Sequence, residues 1–516
     1  MADPRDARTP IVLDPESRAI SDILRGEVLK QLETKILPTY IAARRWYAAK
    51  EAGPPRVLIA DVTPFGPVAG STLLAILRVS APGRAAENYF LPLTLMRDGV
   101  AEIPASAMIA TVQSVGAPTC LVDAFADDGF VRLLLAKIRG DGDRSEHLGL
   151  VFRRTAALAG FEDDLDGAIE RSAAEQSNTS IRVAGAMLKA FRKLEPGIHP
   201  ELEMTRFLTE RARFRNVPAL LGSLERIDRS RNATALCVLQ ALVSNQGDGW
   251  SYVVERLKRA RHEEDRRPEL VRLACQIGKR TAELHHVLAM PTDDEAFAPE
   301  RVEERHLSVW ADAVRAQART ALNGLEQADC LEPAVRAEAD RLLGRRQELA
   351  ERIRRATPES PDAVCTRLHS DYHLGQILVS DGDVYIIDFE GEPMRPLAER
   401  RAKHSPLRDL AGMLRSFAYA PAAAVRSLPA EERATAAEQL NPVARDMSTA
   451  FLEEYKQAIR GCASYPADPA HAESLLRLFL LEKALYEVSY ELANRPEWAG
   501  IPLAGVLALL DRDAPY

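Results

Sequence analysis

Apolar positions recur along this chain of 516 residues with two different periods, and the change from one to the other divides it. Residues 16–37 place Leu24, Val28, Leu32 and Ile36 on one stripe, with acids early and Pro38 at the end, which predicts a helix over that span. Short runs of strand character follow at 56–62, 72–79 and 89–96, separated by Phe65–Gly66–Pro67 and Ala81–Pro82–Gly83. From 120 to 170 the pattern turns helical. A second β-rich stretch covers 181–184, 186–191, 218–224 and 234–239. Beyond Asp248 the spacing is that of helices, over 250–290, 300–356, 431–460 and 470–494, with one β interruption at 375–389. The expectation is an α+β fold in three parts. These are a leader helix and β-rich cap over 1–110, an intermediate β-sheet subdomain over 111–245, and a large helical lobe over 246–516. A cleft is expected between the β-rich and helical halves.

Composition narrows the function classes. Seventy-five Asp and Glu against 67 Lys and Arg leave a net charge of −8, the wrong sign for a protein that grips nucleic-acid phosphates. No apolar run reaches the roughly 18–20 residues of a membrane span, and none near the start has the build of a signal peptide. The six cysteines are scattered with no CxxC pair, so neither a disulfide framework nor a zinc site is expected, and a reducing cytoplasm fits.

The densest chemistry lies in RLHSDYHLGQILVSDGDVYIIDFEGEP, residues 367–393. Asp381–Gly382 between two apolar runs is a hairpin signal. Asp371 precedes this hairpin, Gln376 follows Asp371 by five positions, and Asp388 lies at the exit of the second strand. A loop carboxylate, an amide five residues on and a carboxylate after a hairpin is the order used in kinase-type phosphoryl transfer. Asp371 is then the base that takes the acceptor's proton, while Gln376 and Asp388 are the Mg²⁺ ligands, supplying the oxygens that this hard cation prefers. His369 stands where an imidazole braces such a loop.

Upstream, Lys189 interrupts the apolar run 186–191. A cation on a buried strand needs a partner, and phosphate oxygens together with a helix carboxylate supply one. Glu203 is the preferred carboxylate and Glu201 the alternative, since a helix begins near His199–Pro200. No G-x-G-x-x-G and no Walker sequence is present. Ser177, Asn178, Thr179 and Ser180 form the turn that could offer hydroxyls and N–H groups to ATP phosphates. Gln240 and Leu242 end the last strand before the helical lobe and are the expected hinge against adenine.

These residues together resemble the aminoglycoside-phosphotransferase-like kinases and, within them, the bacterial maltokinases. The resemblance is carried by QSNTS (176–180), LKAFRKLEPGIHPELEMTRFL (188–208), VSNQGDGW (243–250), HSDYHLGQ (369–376), DFEGEP (388–393), PLRDLAGMLRSF (406–417) and EKALYEVSYELANRPEW (482–498). It implies a bilobal kinase-like fold with an N-terminal cap, an ATP-binding subdomain and a helical lobe bearing the acceptor site. The implied reaction moves the γ-phosphoryl of ATP to the anomeric hydroxyl of maltose, giving maltose 1-phosphate for α-glucan synthesis from trehalose-derived maltose. A complex or fusion with a trehalose synthase is a further implication. Ser370 in place of the Arg of HRD, and Glu390 in place of the Gly of DFG, set the chain apart from protein kinases.

The acceptor site is expected on the helix over 473–494. Leu481, Leu485, Val488 and Leu492 form its core stripe, while Lys483, Tyr486, Glu487 and Tyr490 share a second stripe. Aromatic faces for the C–H side of a sugar ring and charged groups for its hydroxyls are what sugar recognition requires. Arg408 and Asp409 are expected to anchor the catalytic loop, Asp248 to cap a helix, and Arg44–Tyr47 to serve local packing. The competing readings are a glucosamine kinase of the same branch, an antibiotic phosphotransferase and a non-catalytic binding module.

Overall fold

The computed structural model describes residues 11–12, 20, 24–66, 72–97, 103–113, 119–140, 149–161, 163–171, 177–260, 267–328, 331–358 and 361–511. The chain divides into two compact units, the first made of residues 1–210 and 218–242, the second of 211–217 and 243–516.

In the first unit, helical structure runs through Gly26–Gln31 (α1), a wider π-type turn at Leu32–Ile36 and Leu37–Ala42 (α2). The expected stop at Pro38 is corrected. The proline sits in the first turn of α2, where a missing N–H costs little. Residues 16–19 and 21–23 of that expected helix lie outside the described residues. Strands Ile11–Val12 (β1), Arg56–Phe65 (β2), Thr72–Ser80 (β3), Glu87–Arg97 (β4), Met108–Gln113 (β5) and Thr119–Asp123 (β6) form one sheet in the order β1-β5-β6-β4-β3-β2. Helix Asp128–Arg139 (α3) follows, begun by Asp127, whose carboxylate accepts the Gly129 N–H.

The second sheet contains Leu150–Arg154 (β7), Ile169–Arg171 (β8), Thr179–Val183 (β9), Ala186–Ala190 (β10), Leu220–Ile227 (β12) and Ala233–Ala241 (β13), in the order β7-β12-β13-β10-β9-β8. Residues 120–170 are therefore not uniformly helical, since β6, β7 and β8 all fall there. The chain leaves β10 and adds Lys193–Leu194 (β11) to β4 of the first sheet. Between these two strands, the buried Arg192 reaches the Asp123 carboxylate at 2.5 Å and lies over the rings of Trp46 and Phe125. Trp46 and Tyr47 are buried against Tyr89, so the aromatic-basic segment at 44–47 is packing.

The second unit is mostly helical. Its helices are Gly249–Ala260 (α5), Arg267–Leu288 (α6), Glu304–Gln327 (α7), Pro333–Gly344 (α8), Arg346–Arg355 (α9), Leu397–Arg400 (α10), Leu407–Val425 (α11), Ala430–Ala458 (α12), Pro469–Asn494 (α13) and Gly500–Asp511 (α14); Pro200–Arg206 (α4) belongs to the first unit. Helices α6 and α12 approach closely at Gly278, where a Cβ would strike the Phe451 carbonyl. A short pair, Glu300–Arg301 (β14) with Val364–Cys365 (β15), was not signalled by periodicity. The expected hairpin is Ile377–Ser380 (β16) with Asp383–Ile386 (β17), turned at Asp381 and Gly382, both at positive φ. Among the described residues, no helix is long and apolar enough to cross a membrane.

Candidate active site

Strand β15 runs into Thr366, Arg367 and Leu368, all buried, and then into His369. The backbone turns sharply at Ser370, whose φ of 69° lies in the left-handed region that non-glycine residues rarely enter. Asp409, buried in the first turn of α11, holds this bend. Its Oδ2 accepts the His369 N–H and its Oδ1 the Ser370 N–H, both at 3.0 Å. Behind it, His285 of α6 places Nε2 3.4 Å from the same carboxylate and Nδ1 2.9 Å from the Tyr455 hydroxyl of α12. Burial alone would raise the Asp409 carboxyl, but the His285 hydrogen bond and the loop N–H groups hold it below its ordinary value. On the other side, His369 Nε2 donates to the Ile387 carbonyl at 2.8 Å, and its ring packs on Phe389. Tyr372 beyond the bend is buried, its hydroxyl 2.8 Å from Thr281. The loop is thus fixed before and after Asp371, whose own side chain stays half-buried.

The hairpin is fixed as firmly. Arg280 of α6 forks onto both Asp383 oxygens at 2.8 and 2.6 Å, and Gln276 adds a third bond at 2.6 Å. At the turn, Gln246 exchanges two hydrogen bonds with Asp381, one to its side chain and one to its N–H. Asp248 caps α5 through the Ser251 N–H, the capping role expected of it. Asp388, at the hairpin's exit, is itself at a left-handed φ of 66°.

His373 lies between Asp371 and Gln376. Its Nδ1 accepts the Gly375 N–H at 3.0 Å, while its Nε2 lies 3.4 Å from the Gln376 amide and 4.0 Å from the Asp371 carboxylate. Burial pushes this imidazole below its ordinary value, against the opposing pull of Asp371. The HxDxH spacing was the available signal, since both imidazoles fall on the one loop.

Facing the loop from α13, Lys483 stands 3.8 Å from the Asp371 carboxylate, with its ammonium over the Tyr486 ring. A small cavity of about 40 Å³ is lined by Asp371, Glu392, Arg395, Glu482, Lys483 and Tyr486, among others. Arg395 bonds Glu392 at 2.6 Å and lies 3.7 Å from Glu482, which is also paired with Arg408. Burial would raise the Glu392 carboxyl, but the Lys483 charge and the Arg395 bond hold it low. The structure therefore gathers Lys483 and Tyr486 at Asp371, and with them Glu392, Arg395 and Glu482, which sequence reasoning missed. Glu487 and Tyr490 are not brought there. Glu487 pairs with Arg415 of α11 at 2.8 Å, and the exposed Tyr490 stacks on Tyr486. Glu390 is half-buried, and its carbonyl accepts from Arg400.

The candidate nucleotide residues lie in the first unit. Lys189 is paired in register with Ser180 of β9 and Val238 of β13, so these three share one face of the sheet. Gln240, two residues from Val238, is on that face too, and its amide donates to Glu201 at 2.9 Å. Glu201 is buried against the sheet and Glu203 is half-buried. The side chain of Gln240 is engaged with Glu201, and the Leu242 N–H with the Gly185 carbonyl. The Thr179 hydroxyl, in the expected phosphate turn, accepts from Arg192 at 2.6 Å.

A loop carboxylate anchored on both sides, followed by a hairpin that ends in a second carboxylate, is the arrangement of a kinase-like fold. Residues 40–127 match the maltokinase N-terminal cap domain. The chain is 29% identical to a glucosamine kinase of Mycolicibacterium smegmatis over 340 residues, 65% of this chain and 78% of that one. It is 26% identical to a glucosamine kinase of Streptacidiphilus jiangxiensis over 266 residues, covering 51% of this chain and 55% of the other. Among solved structures, a glucosamine kinase in complex with glucosamine, ADP and inorganic phosphate shares the fold. Its TM-score is 0.62 at 20% identity, over 92% of this chain and 99% of its own. A second crystal form of glucosamine kinase gives 0.64 at 19% identity, over the same shares of the two chains.

Proposed function

We propose that this protein is an ATP-dependent sugar kinase that phosphorylates maltose at its anomeric hydroxyl, giving maltose 1-phosphate and ADP for α-glucan synthesis. The observation that carries the reading is Asp371, half-buried on a loop fixed from both sides and facing Lys483 and Tyr486. The maltokinase-type cap supports the choice of sugar.

In this reading Asp371 accepts the hydroxyl proton as the sugar oxygen attacks the γ-phosphorus, and the bond to the departing ADP oxygen breaks. An anomeric hydroxyl is more acidic than an ordinary alcohol, so orientation by Asp371 counts for more than basicity. Tyr486 offers a ring face to the sugar, Lys483 a donor to its oxygens. Lys189 contacts the ATP phosphates, with Glu203, or Glu201 on the same stretch of helix, as its carboxylate partner. Gln376 and Asp388 would hold Mg²⁺ through an amide and a carboxylate oxygen. This donor set fits a hard cation completed by phosphate oxygens, and no cluster of three His, Cys, Asp or Glu suited to another metal exists among the described residues. Bound there, the ion would neutralise charge on the transferred phosphoryl group.

Glucosamine is the second candidate acceptor, favoured by the sequence relatives. A partnership with a trehalose synthase would place the maltose supply next to this site. The deciding experiment measures ADP release from MgATP with maltose, glucose, glucosamine, trehalose and kanamycin, and identifies the product by phosphorus NMR. A maltose-dependent anomeric phosphate signal is expected. Turnover of glucosamine alone would replace the acceptor, and no turnover with any of the five would defeat the kinase reading.

A further inference from the structure

A second cavity, of about 630 Å³, lies in the helical unit among residues of β14, β15, the end of α12 and the start of α13. It shares no lining residue with the cavity at Asp371. Its volume is in the range of small-molecule sites, whereas the cavity at Asp371 is far smaller.

The lining carries three cations, Arg301, Lys456 and Arg460, against two carboxylates, Asp362 and Glu473. Glu473 is already 3.6 Å from Arg477. Among the described residues, neither Arg301 nor Arg460 has a side-chain hydrogen bond or ion pair, so two guanidinium forks line the cavity with their donors uncommitted. Guanidinium forks match the paired oxygens of a phosphate group, and each is charged at any physiological pH. Tyr465, half-buried, and Leu476 supply apolar surface for the remainder of a ligand. We propose that this cavity is a second small-molecule site, separate from the reaction site, and that it takes a phosphate monoester whose phosphate is gripped by Arg301 and Arg460.

The walls connect to the catalytic loop. The Val364 N–H donates to the Ala463 carbonyl at 2.9 Å, and Val364–Cys365 continues directly into the buried residues before His369. Cys462, another lining residue, places its sulfur 4.0 Å from the His285 carbonyl, and His285 is the residue that backs Asp409. A ligand here sits against the strand that leads into the Asp371 loop and against the segment that contacts the His285 backbone.

The test is calorimetric titration of the full chain with glucose 1-phosphate, in the presence of saturating MgADP and maltose, beside the double variant R301Q/R460Q. Both substitutions are at exposed positions, and an unchanged MgADP titration shows that the variant is folded. The expected result is saturable binding to the wild type, weakened at least tenfold in the double variant. Absence of binding to the wild type would overturn the proposal. So would equal binding to both proteins, which would assign the phosphate to the reaction site. Citrate binding as tightly as glucose 1-phosphate would overturn the assignment to phosphate esters. None of these readouts depends on turnover, so the sugar-kinase reading stands or falls separately.

Discussion

The Lys483 ammonium stands 3.8 Å from the Asp371 carboxylate, so the pocket around Asp371 already contains a positive charge. Its carboxylates are otherwise engaged: Glu392 with Arg395, Glu482 with Arg408 and Arg395, and Asp409 with His285 and the loop N–H groups. An acceptor carrying its own ammonium would meet Lys483 without an uncommitted carboxylate to offset it. Repulsion between two partly screened charges about 5 Å apart costs on the order of 1–2 kcal/mol, roughly a factor of ten in rate or affinity. The variant K483M is therefore expected to raise kcat/KM for glucosamine relative to maltose about tenfold, measured from initial rates of ADP release. An unchanged ratio would remove Lys483 from acceptor discrimination.

Asp371→Asn keeps the size of the side chain and removes its capacity to take a proton. On the proposed mechanism turnover should fall by roughly a thousandfold or more, because base catalysis and orientation of the hydroxyl would be lost together. MgADP affinity, measured by calorimetry, should stay within about threefold of wild type. A variant with near-wild-type kcat would move the base elsewhere.

Asp409 makes the opposite kind of prediction, since it touches only the protein. In D409N one carboxylate oxygen becomes an amide NH₂ that cannot accept, so one of the His369 and Ser370 N–H groups loses its buried acceptor and His285 loses its anion. Breaking such a buried arrangement costs about 2–5 kcal/mol. Urea denaturation should show that loss, and kcat should fall even where the protein remains folded. Loss of activity with undiminished stability would mean that Asp409 acts other than by holding the bend.

Much of this was legible in local sequence. The Asp381–Gly382 turn, the alternating strands at 56–65 and 377–386 and the stripe on α13 each depend on a period or a turn residue that neighbours supply. The misreadings came from information that is not local. The five residues Thr119–Asp123 are an apolar run too short to separate strand from helix, and the amphipathic α3 that follows made helix look continuous. Glu487 shares a stripe with Lys483 and Tyr486, but its partner Arg415 is 72 residues away in sequence. Glu392 and Arg395 reach the pocket through the irregular stretch after the hairpin, where no periodicity applies.

His404 gives the pH dependence. It is largely buried, stacked on Trp310 at 4.6 Å and edge-on to Phe479, and its Nδ1 accepts the Ser405 N–H. Burial holds its imidazole well below the ordinary value of 6.5, and the charges of Arg408, Arg395 and the nearby His306 push the same way. In the unfolded chain the ring takes a proton near pH 6.5, while in the folded chain it does not until the pH is much lower. Between these two values the unfolded state binds the extra proton, so His404 makes stability fall as pH falls, by up to about 1.4 kcal/mol per pH unit. Above pH 6.5 both states are neutral at this residue and it contributes no slope. Thermal unfolding from pH 8 to pH 5 should therefore show a melting temperature level in His404 above about pH 7 and declining below it. The variant H404Q, which keeps a side-chain acceptor for the Ser405 N–H but cannot titrate, should melt lower at pH 7 and with a visibly shallower decline towards pH 5. Parallel declines in the two proteins would assign the acid sensitivity to other groups.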